Sequence, residues 1–168
     1  MKRFLLLLPL IFILFTGCEG EQGPPGFDGF DGQDGGLIVS SAFEILVDFN
    51  DSNEFQFIES YGFDVFPSDI TLVYIEWENT AGESIWRLLP QTTYFDNGST
   101  LVYNYDFTQE DVRVFLDGTT NFNTLDSSYT QNQLFRVVVV PADNVDGLDL
   151  SNLDTVLQAN HITSFEQR

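Results

Sequence analysis

Residues 134–142 read LFRVVVVPA, and the four consecutive valines in this stretch decide the fold. Successive side chains of a strand point to opposite faces, so a strand with one wet face alternates apolar and polar residues. Val137 to Val140 does not alternate. A short β-branched run of this kind is expected at the centre of a sheet, with both of its faces covered.

The sequence around that run is consistent with such a sheet. From Leu37 onward, short apolar runs are separated by Gly, Asn and Asp. Phe43, Ile45, Val47 and Phe49 share one strand face, with Glu44 and Asp48 on the other. Residues 55–61 alternate similarly. In residues 72–78, Val73, Ile75 and Trp77 point one way, while Glu76 and Glu78 point to water. Residues 85–89 follow the turn Thr80-Ala81-Gly82-Glu83. Residues 100–107 follow Asp96-Asn97-Gly98, and an Asn-Gly pair between apolar runs is a strong hairpin signal. With 112–116 and 134–140 this makes about seven strands, which predicts a mainly β fold, an antiparallel β-sandwich. Residues 151–160 alone carry helical spacing. Ser151 is placed as the cap, Asp154 three residues on, and Leu153, Val156 and Leu157 on one face.

The front of the chain has a different composition. Met1-Lys2-Arg3 is cationic, and residues 4–15 form a 12-residue run without charge. A membrane-spanning helix needs about 20 apolar residues, and Pro9 interrupts this run. A basic head, a short apolar core and small residues behind it constitute a secretory signal over residues 1–17. Cys18, the only cysteine, follows directly, and no second cysteine exists to pair with it. A catalytic thiol would also be poorly placed in a leader.

Thr16-Gly17-Cys18 behind that run resembles the lipobox of bacterial lipoproteins, with Phe15 standing where the family usually has Leu. The resemblance implies cleavage before Cys18, diacylglyceryl attachment to its sulfur, and acylation of its new amine by a chain such as palmitate. Each buried methylene contributes about 0.8 kcal/mol, so two or three acyl chains would hold the protein to a membrane permanently. Glu19 and Glu21 resemble export signals of surface-displayed lipoproteins, which favours an outer-membrane or cell-surface location.

From Gly20 the triplets GEQ, GPP, GFD, GFD and GQD place glycine at every third position, as in collagen. Only one triplet carries proline. Three chains in register would stack Glu21, Asp28, Asp31 and Asp34 without a lysine to pair them. Residues 18–36 are therefore expected to be an extended tether on a monomer rather than a triple helix. At about 3.1 Å per residue, residues 19–36 reach roughly 55 Å. The sequence thus divides into a signal (1–17), a lipidated tether (18–36) and a β-sandwich domain (37–168).

Charge narrows the function. After removal of residues 1–17, four arginines face 26 acids, a net charge of −22. Phosphate backbones are bound through Lys and Arg, so nucleic acid is excluded as a partner. His161, the only histidine, has no nucleophile motif to complete a triad, and one His with a lipidated Cys cannot supply a zinc site. Residues 143–149 (DNVDGLD) are rich in oxygen ligands, but aligning Gly147 to the EF-hand glycine puts Ala142 and Leu153 where carboxylates are required. No cofactor or metal is expected. Trp77 and Trp86 would suit sugar stacking, yet their strand neighbours (Val73 and Ile75, and Leu88) favour core packing. Arg87 and Arg136, on apolar strands, are expected to pair with buried acids.

The segments IWRLLPQT (85–92) and LFRVVVVPA (134–142) together resemble the globular part of uncharacterised collagen-like envelope lipoproteins, a family with no known active site to transfer. The expected function is non-enzymatic display of an acidic domain for binding, adhesion or envelope assembly, with an unknown protein or glycan partner. Two alternatives are a glycan-binding accessory lipoprotein working with a transporter and a small carboxylate-based hydrolase.

Overall fold

In a computed structural model, which describes residues 41–80 and 82–168, nine strands are divided between two sheets. They are β1 (Ser41–Val47), β2 (Gln56–Ser60), β3 (Asp69–Thr80), β4 (Glu83–Leu88), β5 (Gln91–Tyr94), β6 (Thr100–Phe107), β7 (Asp111–Gly118), β8 (Gln133–Pro141) and β9 (Glu166–Gln167). The first sheet has the order β4-β3-β8-β1-β9 and the second β2-β7-β6-β5. Every pairing is antiparallel except β1 with β9. The fold is mainly β, a sandwich. Expectations for residues 1–17, Cys18 and the 18–36 tether lie outside the described residues.

The valine run lies at the centre, as its lack of alternation requires. β8 is flanked by β3 and β1, and Val137 to Val140 are all buried. Val137 and Val139 join Phe43, Ile45, Val73, Ile75 and Phe135 in the core between the sheets. Sheet two closes that core with Leu101, Tyr103, Val112, Val114 and Leu116. Val138 and Val140 point the other way, with Leu72 and Tyr74, into a second apolar layer. This layer is roofed by residues 142–165: a short 3-10 turn (Ala142–Val145), helix α1 (Leu153–Ala159) and the segment after it.

Local chemistry explains several element boundaries. Gly118 ends β7 with φ +121°, and a Cβ there would lie 2.3 Å from the Thr100 carbonyl oxygen, so only glycine fits. Between β4 and β5 the chain crosses from one sheet to the other at Leu89-Pro90, a cis peptide, with Leu89 buried. Helix α1 packs through Leu153 and Val156, as its spacing predicts.

Four expectations need correction. Among the described residues the strands number nine rather than about seven, because β5 (QTTY) is short and polar and β9 (EQ) is only two residues long; neither alternates in hydrophobicity. The cap of α1 is Asn152, whose side chain accepts from Thr155 N, while Ser151 is engaged one step earlier by Asp149. A β-bulge between Glu76 and Glu78 makes Trp77 the extra residue, so the simple alternation breaks and Glu78 pairs with Ile85. Arg87 does not meet a buried acid: Glu44 is the only buried acid among the described residues, and its ion pair is with Arg136.

The register also defines two ends. Ser41, Asp69 and Pro141 lie at one end of sheet one, and Ser60, Phe107 and Asp111 at the same end of sheet two. The 61–68 connection joins the two. This is the proximal end, where the chain arrives from residue 40. The opposite, distal end carries the β3–β4 and β5–β6 turns and the segment 119–132.

Candidate functional site

The distal end holds two adjoining cavities that share Tyr129. The first, of about 480 Å³, lies between the β5–β6 turn and residues 120–129. Its turn is the Asn-Gly hairpin expected from sequence: Gly98 has φ +81° and donates to the Phe95 carbonyl at 2.9 Å. Asn97 Oδ1 accepts from Ser99 N (2.9 Å) and Ser99 Oγ (2.7 Å), which fixes the rim. Across the cavity Asp126 accepts from Ser128 N, and those local donors hold its carboxyl below the usual carboxylate range. Phe95 and Tyr129 meet edge to face at 5.5 Å beneath. The result is an aromatic floor with a rim of hydroxyl, amide and carboxylate groups.

The second cavity, of about 330 Å³, is lined by Glu76, Trp77, Glu78, Tyr103, Tyr129 and Gln133, among others. Tyr103 is fixed by donating to the Tyr129 carbonyl at 2.8 Å, and burial pushes its hydroxyl well above its ordinary pKa. The bulge breaks the simple alternation of Glu76 and Glu78, both of which line this cavity.

Both tryptophans pack as their strand neighbours predict. Trp77 packs against the inter-sheet core, and Trp86 and Leu88 against the second layer. Each also carries an arginine on its ring face: Arg87 lies 4.7 Å over Trp77, and Arg136 lies 4.0 Å over Trp86. Arg136 is stacked on its other side by Phe165 at 4.3 Å and donates through Nε to Glu44 at 2.8 Å, and Gln167 donates to the same carboxylate. Its expected pairing with a buried acid is therefore met. All four arginines of the described residues are placed this way, with Arg113 over Phe115 and Arg168 over Phe43. A guanidinium on a ring contributes about 0.5–2 kcal/mol and occupies the face that a sugar would use.

The other sequence candidates are dispersed. His161 is exposed, with φ +55°, just past helix α1. The 143–149 loop buries Val145 in the second layer, and Asp149 is engaged by Ser151 N and Oγ, which lowers its pKa. Among the described residues no group of three or more His, Cys, Asp or Glu side chains is arranged to hold a metal. No described helix is long and apolar enough to cross a membrane. Sequence reasoning missed the cavities, since residues 120–129 show no periodicity and only the Asn97-Gly98 turn marked one wall.

Compared with known proteins, the chain matches no family model, no curated protein and no solved structure.

Proposed function

We propose that this is a lipid-anchored cell-envelope protein that presents the distal end of an acidic β-sandwich for binding, adhesion or envelope assembly. The observation that carries the anchor is Thr16-Gly17-Cys18 directly behind a short apolar run with a basic head. Acylated Cys18 holds the chain, the glycine-rich tether links it to the sandwich, and the sandwich is the displayed module. The membrane is the outer membrane or cell surface, and a monomer is favoured over a trimer.

A binding role is supported by the distal cavities, which set aromatic rings beneath a rim of hydroxyl, amide and carboxylate groups. The arginine stacked on each tryptophan weighs against sugar stacking on those rings. With no described arginine left unstacked, the displayed surface is dominated by carboxylates, which suits a basic or hydrogen-bonding protein partner and repels nucleic acid.

The test is fractionation of native cells expressing the full chain or Cys18→Ser. The wild type should sediment with membranes, as a form cleaved before residue 18. The variant should accumulate as an uncleaved, unacylated precursor. Normal maturation and fractionation of Cys18→Ser would remove the basis of the proposal.

A further inference from the structure

We infer that the proximal end of the sandwich, through Phe66 and Phe107, rests on the apolar–polar boundary of the bilayer that holds the anchor, an inference that rests on lipidation at Cys18. Phe66 is 61% exposed and Phe107 is 43% exposed. Phe66 sits on the β2–β3 loop and Phe107 is the last residue of β6, both at the end where the chain enters β1. Phe63 and Val65 stand half-buried beside Phe66, and with Pro67 they line a shallow depression of about 670 Å³.

The other large exposed apolar side chains (Leu46, Ile58, Ile85 and Tyr94) lie on sheet faces or at edges of strands. The aromatic residues on the distal connections (Phe95, Phe122 and Tyr129) are half-buried against the core, whereas Phe66 stands exposed on its connection. That loop is also fastened. Phe66 N donates to Asp69 Oδ2, Asp69 N donates back to the Phe66 carbonyl, both at 2.9 Å, and Gln109 Nε2 donates to the Val65 carbonyl at 3.1 Å. The Phe66 ring is therefore presented on a held loop rather than tucked into the core.

The chain outside the described residues identifies the occupant. Some 22 residues separate Cys18 from Ser41, and a glycine-rich tether of that length has an r.m.s. span of roughly 25 Å. A module held at that distance experiences an effective concentration of about millimolar, which populates even a weak contact. Aromatic side chains are favoured at the membrane interface, where a ring can leave water while the backbone stays hydrated. Asp64 and Glu110 border the same depression, so the contact suits zwitterionic rather than anionic headgroups. In this pose the distal cavities face away from the membrane.

The test compares hydrogen exchange in two full chains: the acylated protein in phosphatidylcholine vesicles, and unacylated Cys18→Ser free in solution. Amides of 62–68 and 107–111 should exchange about tenfold more slowly in the vesicle-bound protein, with distal amides of 95–99 unchanged. Acylated Phe66→Ser/Phe107→Ser should still float with vesicles and lose that protection. If the wild type floats but its proximal amides exchange as in solution, the contact is wrong while the anchor stands. If the protein does not float at all, anchor and contact fall together.

Discussion

The two sheets treat their outer faces in opposite ways. Sheet one is covered on both sides, by sheet two and by the 142–165 layer, so Val138, Val140 and Tyr74 are as buried as the residues of the inner core. Sheet two faces solvent with Asn104, Asp106, Arg113 and an exposed Ile58. Each outer face carries one arginine–carboxylate pair with an aromatic ring beneath it. The environments differ. Arg136–Glu44 retains only 24% and 11% side-chain exposure, whereas Arg113–Asp106 retains 41% and 53%. The same chemistry is thus a structural member where a layer covers it and an ornament of the surface where water screens it.

The largest expected effect comes from breaking the covered side. Val138→Asp places a charge in an apolar layer whose arginine, Arg136, is already paired with Glu44, and should cost more than about 4 kcal/mol. The domain would then fail to fold, read by circular dichroism, while Ile58→Asp on the bare face should fold with less than about 0.5 kcal/mol lost. If both behave alike, the second layer does not seal sheet one.

Next in size is Arg136→Ala, which leaves Glu44 buried with only Gln167 donating to it. Denaturant melts should show about 2–3 kcal/mol lost, with much of that recovered by Glu44→Gln in the same chain.

Alkali provides a third comparison. Burial raises Tyr61 to about 12 from 10.0, and it also raises Tyr74 in the outer layer and Tyr103 in the core. The raised values mean that the stabilisation is complete below pH 10 and is lost as the pH climbs through the folded-state values. Unfolding and tyrosinate absorbance should therefore appear together above pH 10, not as an earlier titration of an intact fold.

The smallest effect belongs to the open pair. Hydrogen bonding to Arg113 lowers the Asp106 pKa, so its contribution is present above the ordinary value of 3.8 and fades as pH falls through the lower folded-state value. Because both side chains are well exposed, Asp106→Asn should change stability by less than about 1 kcal/mol at neutral pH. A larger loss would mean that the outer face of sheet two is less open than its exposure indicates.

The sequence revealed burial patterns more readily than contacts. Four valines without alternation placed β8 at a doubly covered centre, and the spacing of Leu153, Val156 and Leu157 marked the helix that does part of the covering. Asn97-Gly98 marked its turn, because a positive φ has a residue signature. The strands β5 and β9 were hidden because tertiary partners, not propensity, hold them: β9 depends on β1, on Gln167 reaching Glu44, and on Arg168 donating to the Ser60 and Tyr61 carbonyls. The bulge at Trp77 left no mark in an alternating run, so the shift in pairing with β4 was missed, although Glu78 is exposed as expected. The distal cavities and the phenyl-bearing proximal end arise from where connections meet in space, which hydrophobic periodicity does not encode.

The proposed attachment at Cys18 is what would give both ends of the sandwich their meaning. Intact-mass analysis of protein purified from its native membrane tests it most directly. The expected species begins at residue 18 and carries diacylglyceryl and amine-linked acyl mass. A free thiol at that position, or a different first residue, would contradict the anchor and everything oriented by it.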